Sequence, residues 1–141
     1  MCHNPNTVSD PDEGETVSVN MKEMIHKIHR GEALEFGFVT GGFGGDVDFS
    51  EIAFPGRLDQ CSNCHGGNDI SLPLPSEALP TVVGDMVTLP QAAACTACHD
   101  SLAAQIHGML MGDPVSGAES CAVCHGPGME HDAVGVHALG G

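Results

Sequence analysis

"CSNCH" at 61–65 returns twice in altered form, as "CTACH" at 95–99 and "CAVCH" at 121–125. Six of the seven cysteines fall in this pattern, and each pair is followed directly by a histidine. C-x-x-C-H is the attachment signature of a c-type haem. The spacing has a chemical reason: two thiols bond to the two vinyl groups of one porphyrin, and the adjacent histidine then sits under the iron. Other uses of paired cysteines fit less well. Structural zinc takes CxxC pairs in twos, whereas here three pairs are separated by 30 and 22 residues and each carries a matched histidine. A disulfide framework leaves those histidines without a role. A thioredoxin-like motif needs one CxxC in a βαβ setting.

The composition agrees. The 141 residues hold no Trp, no Tyr and only five Phe, while Gly (19) and Pro (9) favour turns and loops. A chain of this length normally buries most of its unfolded surface, and this one has little to build a core with. A non-protein group is therefore expected to supply it. The formal charge of −15 argues against nucleic acid or an anionic membrane surface as a partner. No secretory segment and no apolar run of membrane-spanning length is present.

The opening "MCHNPN" has a second half-motif in Cys2 and His3. Read as C-x-Met-Cys-His, it completes to a fourth haem site whose first cysteine lies upstream of Met1. The chain would then be a truncated piece, or one read from an internal methionine. The other reading is a chance Cys-His pair near a native N-terminus.

An iron has two axial positions, and the second ligand sets potential and reactivity. Of nine histidines, His65, His99, His125 and His3 are the proximal candidates, which leaves His26, His29, His107, His131 and His137. Four haems need four distal ligands, so the supply suffices with one to spare. The segment "NMKEMIHKIHRG" at 20–31 reads as a helix, with Asn20 and Glu23 as a capping box and Gly31 as its stop. Met21, Met24, Ile25 and Ile28 form its apolar stripe. His26 and His29 are neighbours on it, and each is expected to serve a different iron, because axial ligands approach from opposite faces. "PQAAACTACHDSLAAQIHGMLMGDP" reads as one helix from Pro90 to about Gly112. His99 and His107 would lie about 12 Å apart along it, each on its own haem. His131 and His137 would sit about 120° apart on a helix, so only one of them is a ligand. Met24, Met109 and Met129 are rival ligands, but the histidines suffice and the methionines are read as packing. Residues 4–18 read as an exposed acidic loop and 37–54 as a small hairpin. The four prolines of "GGNDISLPLPSEALPTVVGDMVTLP" suggest a long irregular connection.

These residues resemble the outer-membrane multihaem cytochromes of the OmcA/MtrC type, which carry ten haems in two five-haem domains. The resemblance rests on "CHNP" at 2–5, "MIHKIHRG" at 24–31, "FPG" at 54–56, "CSNCHGGND" at 61–69, "CTACHD" at 95–100, "CAVCHGPG" at 121–128 and "VH" at 136–137. It implies that His26 and His29 ligate two different haems, and that His137 rather than His131 is the last distal ligand. A full five-haem domain has one more complete motif, and the family's β-rich domains have no counterpart here.

The sequence thus leads to one domain over 1–141, mostly irregular with a few short α-helices and a small β-hairpin: a multihaem cytochrome c domain whose core is its haems. Residues 1–58 supply distal ligands and 59–141 carry the three complete sites. Cys61, Cys64, Cys95, Cys98, Cys121, Cys124 and Cys2 are the covalent anchors. The expected function is electron transfer along closely spaced bis-histidine haems in outer-membrane respiratory export, not catalysis. Its partners would be other redox proteins, further haem domains of a parent chain, or extracellular acceptors. The rival is a multihaem reductase of nitrite, sulfite or a similar oxyanion, which needs one open iron. Covalent haem attachment places the chain outside the cytoplasm of a prokaryote, either periplasmic or at the outer surface.

Overall fold

The computed structural model describes residues 2–12, 14–65 and 70–138. Short elements succeed one another along the chain: β1 (Val8–Ser9), β2 (Val17–Ser18), α1 (Met21–Arg30), β3 (Val39–Gly42), β4 (Gly45–Asp48), α2 (Ser62–His65), β5 (Thr81–Val83), β6 (Met86–Thr88), α3 (Pro90–Thr96), α4 (Leu102–Leu110), β7 (Gly112–Asp113), β8 (Ala118–Glu119), α5 (Ala122–His125) and α6 (Ala133–Ala138). The strands form four antiparallel two-stranded ladders, β1–β2, β3–β4, β5–β6 and β7–β8. The architecture is mostly irregular with a few short helices, as composition implies. Among the described residues no helix is long and apolar enough to cross a membrane.

α1 begins and ends where the sequence predicts. The Asn20 side chain accepts from the Lys22 N–H at 3.3 Å. The reciprocal half of a capping box does not form, because the Asn20 N–H is taken by Ser18 Oγ at 3.2 Å and Glu23 turns inward beside Lys27. Gly31 stops the helix at φ +42°, with Ile52 O only 2.1 Å from where a Cβ would stand. Here only glycine fits.

Three expectations change. The segment from Pro90 to Gly112 is two helices, because residues 97–101 turn aside. The Asp100 carboxylate accepts from the Glu35 and Phe36 N–H groups at 3.0 and 2.9 Å, and Ser101 caps α4 through Ala104 N. The proline-rich connection contains the β5–β6 hairpin, turned at Gly84 (φ +57°). Residues 4–18 are not a free loop: β2 pairs with β1, Ser18 is buried, and β2 packs against β5. The expected hairpin within 37–54 is present as β3–β4.

The peptide core is thin. Buried apolar residues are Val19, Phe38, Leu72, Leu89, Ala92, Ala93 and Ala97, three of them alanines. Glu119 on β8 stabilises α3 from outside: its carboxylate accepts from Gln91 N at 2.9 Å and Ala92 N at 2.8 Å, where Leu89 offers no side-chain cap. Ala92 and Gly108 meet where α3 packs on α4.

Candidate functional site

The three CxxCH segments share one local geometry. The histidine N–H donates to the first cysteine's carbonyl: His65 to Cys61 at 2.8 Å, His99 to Cys95 at 2.9 Å and His125 to Cys121 at 2.9 Å. The second cysteine's N–H donates to the same carbonyl at 3.2 Å in each case. One helical turn thus carries thiols at i and i+3 and an imidazole at i+4, which share a face. No disulfide joins the seven cysteines. Burial pushes the Cys98 thiol up, with nearby Cys61 adding and Arg30 opposing. Burial also raises Cys121, with Glu119 and Cys95 adding.

Each motif histidine faces another imidazole. His65 on α2 lies 6.1 Å, centre to centre, from His26 on α1, with the rings nearly parallel at 10°. His99 lies 6.0 Å from His137 on α6. His125 lies 6.2 Å from His107 on α4 and 6.0 Å from His131. A first-row metal binds imidazole nitrogen at about 2.0–2.1 Å. Two rings on opposite sides of one metal therefore have centres about 6 Å apart, at any rotation about the shared axis. Ordinary aromatic pairs span that distance as well, so the orientation of the nitrogens is what distinguishes a ligand pair.

That orientation is set by the backbone. Nδ1 of His26 meets Lys22 O at 2.5 Å, Nδ1 of His29 meets Ile25 O at 2.6 Å, and Nδ1 of His137 meets Ala133 O at 2.6 Å. His3 is anchored likewise on Val19 O at 2.8 Å and His125 on His131 O at 3.0 Å. A carbonyl only accepts, so Nδ1 carries the proton and Nε2 of the neutral ring is left as a ligand. The His131 backbone carbonyl thus lies on the Nδ1 side of His125. Moreover, α6 begins only at Ala133, so His131 and His137 do not share a helix as the sequence suggested. His99 is not on a common helix with His107 either, yet the two do face different partners. The partial burial of its ring, then His137 and Arg30, lower its pKa and favour the neutral, ligating form.

His29 and His3 have no imidazole neighbour among the described residues. His29 meets the edge of Phe54 at 5.0 Å. Cys2 is exposed. Gly66–Asp69 of the "CSNCHGGND" stretch lie outside the described residues. The apolar stripe of α1 is only partly covered: Met21 and Ile25 are exposed, Met24 and Ile28 half-buried. On α4, Leu102, Ile106, Met109 and Leu110 are 47–72 % exposed. Thiol pairs, paired imidazoles with one ring of each pair anchored through Nδ1, and exposed apolar side chains fit a c-type haem as donor set and surroundings. The sequence could not show the helical i−4 carbonyls that anchor the His26, His29 and His137 rings, nor the carboxylates of Asp100 and Glu119 that place the motifs.

The family model described as outer membrane cytochrome MtrC/MtrF-like, domains II/IV, matches residues 1–138. No curated protein and no solved structure matches the chain. The family's c-type cytochromes transfer electrons outside the cytoplasm, at the outer membrane of prokaryotes. With its repeated C-x-x-C-H turns and a match over nearly its whole length, the chain belongs to the MtrC/MtrF-like outer-membrane cytochromes.

Proposed function

We propose that the single domain holds three c-type haems, on Cys61/Cys64, Cys95/Cys98 and Cys121/Cys124, and relays electrons along them. His65 and His26 hold one iron, His99 and His137 the second, His125 and His107 the third. The observation that carries this reading is the set of three imidazole pairs, each joining a motif histidine to a ring from a distant segment. Bound haem supplies one-electron iron chemistry. The chain's own residues tether, orient and enclose. Thiols fix the porphyrin edge, the i−4 carbonyls of α1 and α6 aim the distal rings, and apolar side chains such as Ile106 keep water away.

Two imidazoles at each centre leave no position for a substrate, which favours relay over oxyanion reduction. Cys2 and His3 are the candidates for a fourth attachment. His29, presented as His26 is, would be the distal ligand of a further iron. Redox proteins or further haem domains of a parent chain would be the electron partners. An acidic surface of this kind steers basic partners toward it.

Denatured mass spectrometry of the holoprotein tests the count: three haem adducts are expected, or four with one held by the single thiol of Cys2. The optical spectrum tests the function. A wholly low-spin spectrum that carbon monoxide leaves unchanged supports relay, whereas a carbon monoxide-binding, high-spin iron in the unaltered protein would replace it with the reductase.

A further inference from the structure

Arg30, the last residue of α1, stands apart from the chain's other cations. Its Nε is buried and meets no acceptor among the described residues. Lys22, by contrast, donates to Leu79 O at 2.9 Å, Lys27 lies 4.0 Å from Glu23, and Arg57 is doubly bonded to Asp59. With 19 acids against four Lys and Arg, carboxylates are not scarce. A guanidinium cannot shed its charge, and its planar fork of donors matches a carboxylate. Leaving such a group half-buried and unpaired costs free energy, so the position calls for an anion.

The surroundings say which anion. Arg30 lines a cleft with Leu34, Cys98, His99, Asp100 and Ala104. Asp100 faces the same cleft, but its oxygens already accept from the Glu35 and Phe36 N–H groups. Glu35, which also borders the cleft, makes no ion pair with Arg30. His26 lies four residues before Arg30, on the same face of α1. Resting on the haem reading above, we propose that Arg30 is a carboxylate-binding residue whose guanidinium receives a porphyrin propionate. Two porphyrins offer the same chemistry: the one anchored at Cys95 and Cys98, whose motif lines the cleft, and the one anchored at Cys61 and Cys64, whose distal ligand is His26. The residue acts on the cofactor's periphery and does not touch the iron.

Arg30→Gln removes fork and charge, and Arg30→Lys keeps the charge alone. In the holoprotein, Arg30→Gln is expected to keep its haem content and low-spin spectrum. It should shift the propionate bending band of the resonance Raman spectrum and lower one haem's reduction potential, because an uncompensated carboxylate favours ferric iron. Arg30→Lys should shift both in the same direction by less. Haem methyl signals in the NMR spectrum show which porphyrin responds. If Arg30→Gln fails to accumulate, Arg30→Lys decides: a Raman band at the unaltered position overturns the proposal. So does a potential that moves while the band does not, since that is charge acting at a distance. Loss of the haem reading is recognised separately, by the unaltered protein lacking low-spin haem.

Discussion

Replacing His107 by Ala tests the pairing where the geometry offers two partners. His107 and His131 have ring centres 6.2 and 6.0 Å from that of His125, so distance does not separate them. The hydrogen bond from His125 Nδ1 to His131 O at 3.0 Å favours His107, because a residue that holds the Nδ1 side through its own backbone is poorly placed to present its ring to Nε2. The expected magnitude is one iron. His107→Ala should bind one carbon monoxide per chain after reduction, where the unaltered protein binds none. His131→Ala should bind none, because alanine keeps the backbone carbonyl that His125 uses. Free imidazole added to His107→Ala should restore the low-spin spectrum by filling the position the side chain left. The assay is carbon monoxide titration of the reduced holoprotein, read in the Soret band. Uptake by His131→Ala instead of His107→Ala would refute the assignment, and with it the inference of ligand orientation from Nδ1 contacts.

Other changes test the scaffold. Glu119→Ala removes two hydrogen bonds from a carboxylate to the first turn of α3, so unfolding by guanidinium chloride should show a loss of about 2–3 kcal/mol, with Glu119→Gln losing roughly half as much. Equal midpoints for all three proteins would show that the cap is idle. Gly31→Ala must hold alanine at φ +42° against Ile52 O. A cost of about 2 kcal/mol or more is expected in the same unfolding assay, and unchanged stability would mean that α1 ends differently. Asp132 accepts from the Gly128 N–H, and from those of Gly135 and Val134 at the start of α6, and these bonds hold its pKa below the usual carboxylate range. A depressed folded pKa stabilises at pH above the unfolded value, and that stability is lost as pH falls through the folded value. Acid titration should therefore release His137 and convert the His99 centre to high spin. In Asp132→Asn, whose amide cannot titrate, that conversion should lose its dependence on this group, and identical acid transitions would argue against it.

What the sequence reveals here is what the chain encodes locally. A C-x-x-C-H turn needs only its own five residues, and the α1 boundaries follow from Asn20 and Gly31. The break after α3 was hidden because "PQAAACTACHDSLAAQIH" has helix-forming residues throughout. It is imposed by Asp100, whose carboxylate is claimed by N–H groups 64 and 65 positions earlier in the chain. The β5–β6 hairpin did carry a signal, valines flanking Gly84 and Asp85, but four prolines nearby suggested irregular structure instead. The proposed distal pairings leave no trace in the sequence because they join segments that share no local pattern. The preference for His137 over His131 comes from the family resemblance; in the structure the His137 ring is anchored at the start of α6, and His131 bonds His125 through its backbone carbonyl.

The interior of this protein mixes polar groups into a thin apolar core. Asn20 bonds Thr81 inside, Glu23 and Gln91 are buried, and the large apolar side chains of α4 stand outside. Exposed apolar surface forgoes about 25 cal/mol per Å², so such a chain is poorly held by peptide packing alone, and its −15 charge opposes compaction further. On the proposed ligation, the imidazole pairs supply the missing constraint. His26 with His65, and His99 with His137, each close a loop of about forty residues, and cross-links over such lengths remove considerable freedom from the unfolded chain. The same four side chains would then both fix the irons for electron relay and hold the fold together. On that reading ligand and scaffold would be one set of residues, which would explain why so few others are buried.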